Sequence, residues 1–88
     1  MSYTVVWRPK AEERLADLWT SATDRNAITA AADAIDAALQ LNPLTQGESR
    51  AGKTRILIIP PLAVYYQVDP SHRTVSVVRV WRWSASPP

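Results

Sequence analysis

The sequence predicts an α+β domain of order β-α-α-β-β-β, with a helical hairpin packed on one face of a small, mainly antiparallel sheet. Three observations predict it. Two stretches in the first half carry apolar residues at helical spacing. Three β-branched runs in the second half are separated only by short turns, so they pair antiparallel. One short β-branched and aromatic segment precedes the helices. With 88 residues, the chain makes a single domain with a modest core.

The first strand is Tyr3-Thr4-Val5-Val6-Trp7, rich in residues that suit a pleated surface. Pro9 then suits the first turn of a helix, where its missing N–H costs nothing. Glu12 and Glu13 complement the helix dipole in that turn. Ala11, Leu15, Leu18, Trp19 and Ala22 form one helical face, and the helix ends near Ala22. Thr23 or Asp24 caps a second helix running from about Arg25 to Leu41. Its stripe of Ile28, Ala31, Ala32, Ile35, Ala38 and Leu39 is mostly alanine, which permits close approach to the first helix. The link between the two is very short, so they form an antiparallel hairpin. Asn42-Pro43 stops the second helix.

A basic turn leads to the second strand, about Thr54 to Ile59, which Pro60-Pro61 ends. The third strand is Leu62 to Val68, and Asp69-Pro70-Ser71-His72 is a turn. The fourth runs from about Thr74 to Trp83. Along it Val75 and Val77 point one way and Thr74 and Ser76 the other. Beyond Val78 the alternation blurs, and the faces of Arg79, Trp81 and Arg82 stay open. The domain spans residues 1–83, and residues 84–88 read as a short flexible tail.

Composition narrows the function. There is no cysteine and one histidine, so thiolate sites, disulfides and histidine-based triads lack their parts. No run is long or apolar enough to span a membrane, and the N-terminus lacks a signal-peptide pattern. A cytoplasmic protein without metal or cofactor is the expectation. Charge is asymmetric. Residues 1–46 hold four basic and six acidic side chains, and residues 47–88 hold six basic and two acidic. That asymmetry points the second half toward a polyanion or an acidic partner, and equally fits charge that merely keeps a small sheet soluble.

Gly47-Glu48-Ser49-Arg50-Ala51-Gly52-Lys53-Thr54 matches the phosphate-binding pattern G-x-x-x-x-G-K-[ST]. That pattern works where a strand enters the loop and a helix leaves it. Here a helix enters and a strand leaves, so the nucleotide reading is rejected. Lys53 and Arg55, two apart, are expected on one face of the second strand. Trp81 and Trp83 share a face of the last strand. Tyr65 and Tyr66 point to opposite faces, one into the core and one to its rim. His72 reads as a solvated turn residue.

Val6-Trp7-Arg8-Pro9-Lys10-Ala11, Leu41-Asn42-Pro43 with Gly47-x-x-Arg50 and Gly52-x-x-Arg55, Val64-Tyr65-Tyr66-Gln67-Val68-Asp69, and Val77-Val78-Arg79-Val80-Trp81-Arg82 follow one another in an order and spacing that resemble the RelE/ParE family of bacterial type II toxins, over nearly the whole chain. The resemblance implies a growth-inhibiting toxin of a plasmid-stabilising or related module, held inactive in a hetero-oligomer with a cognate antitoxin. One branch of the family cuts messenger RNA in the ribosome. The other acts on DNA gyrase and needs no bond-making chemistry of its own. The chain departs from both patterns. Ala63 stands where nucleases of the family commonly have arginine. Arg82 is followed by Trp83 and small residues rather than by tyrosine or histidine. Trp81 stands about where many gyrase-directed toxins have histidine.

The candidate residues follow from this. If the chain is a metal-independent endoribonuclease, Lys53, Arg55 and Arg82 are its catalytic set. Arg50, Arg79, Trp81 and Trp83 are the candidates for binding a nucleic acid or a protein target. The favoured reading is a toxin that binds a target such as DNA gyrase. The alternatives are a ribosome-dependent endoribonuclease and a non-toxic family member that binds an antitoxin.

Overall fold

The structure, a computed structural model, describes residues 2–83. The expected tail at 84–88 lies outside the described residues. The elements are β1 (Thr4–Trp7), α1 (Pro9–Ser21), α2 (Arg25–Leu41), β2 (Glu48–Ser49), β3 (Thr54–Ile59), β4 (Leu62–Asp69) and β5 (Thr74–Arg82). The five strands form one sheet in the order β1-β5-β4-β3-β2. Only β1 with β5 is parallel among the pairs. The expected architecture holds, with one addition. Glu48–Ser49 pairs with Arg55 and Ile56 as a two-residue edge strand, too short to leave a periodic signal.

The helices cover one face of the sheet. Helix α2 contributes Ile28, Ala31, Ile35 and Leu39 to the core, all nearly inaccessible. Their spacing of three or four residues keeps them on one stripe. Ala11 is the buried residue of α1. The sheet answers with Leu57, Leu62, Val64, Tyr66, Val75, Val77 and Val80. No helix in the described residues is long and apolar enough to cross a membrane.

The hairpin turn is closed by Arg25. Its Nε donates to the Trp19 carbonyl (3.1 Å) and its Nη2 to the Thr20 carbonyl (2.9 Å). These carbonyls lie in the last turn of α1, where Trp19 also accepts from the Ala22 N–H (3.3 Å), so one cation ties down two of them. Its guanidinium also lies 4.7 Å from the Trp19 ring centroid. Asp24 occupies the N-cap position of α2 but makes no side-chain cap. Its carboxylate is used elsewhere.

The loop between α2 and β3 turns on two left-handed glycines, Gly47 (φ 65°) and Gly52 (φ 61°). Their surroundings differ. A Cβ on Gly47 would run into the backbone carbonyl of Ile56, whereas one on Gly52 meets nothing within 4 Å. Gly52→Ala should therefore cost only the left-handed strain, about 1–2 kcal/mol. Gly47→Ala should cost clearly more, because the β2–β3 pairing must shift. Urea denaturation of the two variants side by side checks the ranking.

Candidate functional site

The face of the sheet away from the helices is open, and one irregularity decides what stands on it. In the β4–β5 pairing, Tyr66 opposes Val77 and Tyr65 opposes Arg79, which leaves Val78 unpaired as a β-bulge. An extra residue reverses the side-chain phase of the strand beyond it. Before the bulge, Val75 and Val77 face the helices. After it, Val80 does so, at 4% exposure. Arg79 and Trp81 consequently stand on the open face. Trp81 packs on Tyr65 with ring centroids 4.7 Å apart and a 55° tilt. Ala63, opposite both Ile58 and Trp81 in register, is fully buried.

The expected co-facing of Lys53 and Arg55 does not hold. Lys53 lies in the turn before β3, which begins at Thr54. Within β3, Leu57 packs into the core, so Arg55 by alternation takes the helix side. There its Nε donates to the Tyr66 hydroxyl (3.3 Å) and its Nη2 to the carbonyls of Gln46 (3.2 Å) and Gly47 (3.4 Å). The Tyr66 hydroxyl lies 2.6 Å from the Gln46 carbonyl and 2.8 Å from that of Pro43, either of which can accept its hydrogen bond. Burial pushes the Tyr66 phenol up, and the Arg55 hydrogen bond opposes that shift. Arg55 and Tyr66 thus pin the loop after α2 to the core. This is a structural commitment of the guanidinium.

Arg82 is also displaced from its expected patch. The bulge turns it to the helix side, where its Nη2 meets Asp24 Oδ2 at 2.6 Å. The hydrogen bond from Arg82 holds the Asp24 carboxyl below its ordinary range, and Asp24 in turn raises the Arg82 guanidinium. The pair ties the end of β5 to the turn between the helices. Arg50 pairs with Glu48 (3.2 Å) in the loop. Trp83 follows the end of β5, and its backbone N–H donates to the Pro61 carbonyl (2.8 Å).

Two shallow grooves remain on this side of the molecule. One is lined by Arg8, Lys53, Gln67, Thr74 and Ser76. Arg55 also borders it, with its guanidinium committed as described, so Lys53 and Arg55 share a groove but not a strand face. The turn closing β4 and β5 also lines this groove, through Asp69 and His72, and holds its own polar cluster. Ser71 Oγ donates to Asp69 Oδ1 (2.7 Å), and His72 Nδ1 lies 2.8 Å from Asp69 Oδ2. The Ser71 hydroxyl, then His72, lower the Asp69 carboxyl to about 2. His72 is exposed and held to its own turn, as expected.

The other groove lies where β5 runs past the end of β1. It is lined by Lys10, Arg14, Tyr65, Val78, Arg79 and Trp81. The structure thus brings Arg79 and Trp81 together with two cations that the sequence pattern does not single out. Lys10 and Arg14 sit in the net-acidic half of the chain. Their signal is an i, i+4 spacing at the start of a helix that directly follows a strand.

Comparison with known proteins gives a consistent result. The family described as ParE toxin of type II toxin-antitoxin system, parDE, matches residues 5–86. No curated protein matches the sequence. Among solved structures, the RelBE2 toxin–antitoxin complex of Mycobacterium tuberculosis is similar with a TM-score of 0.75 and 22% identity, covering 93% of this chain and 92% of that one. The chromosomal ParDE system of P. aeruginosa gives 0.75 at 15% identity, over 94% and 98%. A mutant of the E. coli toxin RelE in the free state gives 0.68 at 16% identity, over 98% and 88%. At these identities the likeness of structure speaks for the fold.

Two expected outcomes test the structural roles. Tyr66→Phe removes the hydroxyl that joins Arg55 to the loop carbonyls and should cost about 1–3 kcal/mol, read from the urea midpoint. Asp24→Asn tests the pairing with Arg82 through pH. A carboxyl lowered in the folded state stabilises fully above its unfolded pKa, near 3.9, and loses that contribution as pH falls through the folded value. The stability gap between wild type and Asp24→Asn should hold constant above about pH 5 and shrink below about pH 4. An unchanged gap down to the acid transition would contradict the pairing.

Proposed function

The chain belongs to the ParE toxin family of type II toxin–antitoxin systems, and from that premise we propose that it is the toxin of such a module, neutralised by a cognate antitoxin, and that it acts by binding a protein target, DNA gyrase first, without cutting RNA. The observation that carries this reading is the dispersal of the nuclease set. Lys53 stands at a groove that Arg55 also borders, but of the two only Lys53 is uncommitted there. The Arg55 guanidinium is occupied by Tyr66 and two carbonyls. Arg82 is paired with Asp24 on the helix side. Ala63 holds the position where related nucleases commonly place arginine, and it is buried. Stabilising a pentavalent phosphate requires cations that converge on one point, and these three do not.

An antitoxin partner is supported by the similar structures that are themselves toxin–antitoxin complexes. The helical hairpin offers a surface of suitable chemistry. Leu15, Ala16, Trp19, Ile28 and Ala32 line an apolar groove between α1 and α2, and Trp19 is 43% exposed. A helix with an apolar stripe fits such a groove.

Induced expression without antitoxin, read for both transcript integrity and DNA breaks, tests the proposal. Growth should stop, DNA breaks should accumulate and transcripts should stay whole. Transcripts cut by wild type but not by folded Arg55→Ala and Arg82→Ala variants would favour the nuclease instead. Undisturbed growth would leave only the non-toxic, antitoxin-binding reading.

A further inference from the structure

We infer that the groove between α1 and the free part of β5 is a phosphodiester-binding site, in which Lys10, Arg14 and Arg79 hold the backbone of a single-stranded nucleic acid and Trp81, backed by Tyr65, stacks on a base. The inference stands on the groove itself and does not depend on which protein the toxin targets.

The cations come first. Lys10 and Arg14 are one turn apart on α1, and Arg79 reaches the same groove from the strand beneath. None of the three has a carboxylate within 4 Å among the described residues. Glu13 and Asp17 follow them at i+3 and still make no ion pair. Four other arginines contrast with this, while Arg8 and Arg73 stand outside the groove. Arg50 has Glu48, Arg82 has Asp24, Arg25 has two carbonyls, and Arg55 has Tyr66 and the loop. Three like charges gathered on one groove repel one another, so their countercharge must come from outside.

The floor of the groove decides the kind of anion. A carboxylate is satisfied by one bidentate arginine. Three cations around a half-buried tryptophan suit a ligand that alternates charge with flat rings, which describes a nucleic-acid strand. The same face continues the track. Gln67, Thr74 and Ser76 lead along it to the second groove with Arg8 and Lys53. From Arg79 to Thr74 along β5 is about 16 Å, enough for a few nucleotides. No carboxylate or imidazole lines the groove of Lys10, Arg14 and Arg79, and Asp69 and His72 in the groove of Arg8 and Lys53 are bonded to each other, so the proposal is binding and includes no cleavage.

The test uses the purified full-length chain and a fluorescent twelve-nucleotide single strand of mixed sequence, followed by anisotropy and by gel. Wild type should bind and leave the strand intact. Lys10→Ala with Arg14→Ala should weaken binding at least tenfold and lower the slope of log K against log salt by about 1.4, at about 0.7 for each phosphate no longer neutralised. Arg79→Ala should weaken binding several-fold more than Arg50→Ala, which removes one charge elsewhere. All of these side chains are exposed, and matching thermal midpoints will confirm folded variants. Absence of binding, equal effects of Arg79→Ala and Arg50→Ala, or tighter binding of poly-glutamate would each overturn the inference. Duplex binding as tight as single-strand binding would overturn the stacking role of Trp81. None of these outcomes touches the toxicity readouts, so the two proposals fail separately.

Discussion

The bulge at Val78 is the constraint on which the face chemistry of this molecule depends. A strand of nine residues from Thr74 to Arg82 with strict alternation would send Arg79 and Trp81 into the helices and Val80 into water. One unpaired residue reverses that. Val80 then closes the core, Arg82 reaches Asp24, and Arg79 and Trp81 stand on the open face. The apolar side chains supply the driving force. Burying Val80 alongside Val75 and Val77 is favourable by roughly 1.5–3 kcal/mol per side chain, against the local disruption of the ladder.

A second commitment sets what the arginines are free to do. Tyr66 is fully buried, and its hydroxyl needs a partner there. Pro43 and Gln46 supply acceptors, and Arg55 supplies a donor. The same contacts fix the loop that carries Gly47 and β2 against β3. Stability thereby takes up one set of cations, and the proposed recognition falls to another. Arg25, Arg55 and Arg82 are spent on carbonyls, a phenol and a carboxylate. Lys10, Arg14 and Arg79 are left facing solvent without a countercharge.

Much of the fold is legible in the sequence because its signals are local. Pro9 and the stripe from Ile28 to Leu39 mark the helices, and Arg25–Leu41 and Thr54–Ile59 are read to the residue. The site is less legible because its signals are not local. The phase of β3 is set by Leu57 packing into the core, so counting alternation from Lys53 misplaces Arg55. The bulge carries no glycine to announce it, and it arises from pairing with Tyr65 and Tyr66. Lys10 and Arg14 join Arg79 only because β1 pairs parallel with β5 and stops at Trp7, which lays α1 beside the rest of β5. The open face of the last strand, the one part whose side-chain directions stay open in the sequence, is where the unpaired charge gathers.

The central claim is this division of labour between cations, and one paired measurement tests it most directly. Arg55→Ala and Arg79→Ala remove the same side chain from β3 and β5. For each, the urea midpoint of the purified chain and its affinity for the fluorescent single strand are measured together. The account predicts that Arg55→Ala lowers the midpoint clearly, while Arg79→Ala leaves it near wild type and weakens binding of the strand. An Arg55→Ala chain as stable as wild type, alongside an Arg79→Ala chain that binds the strand as wild type does, would contradict it.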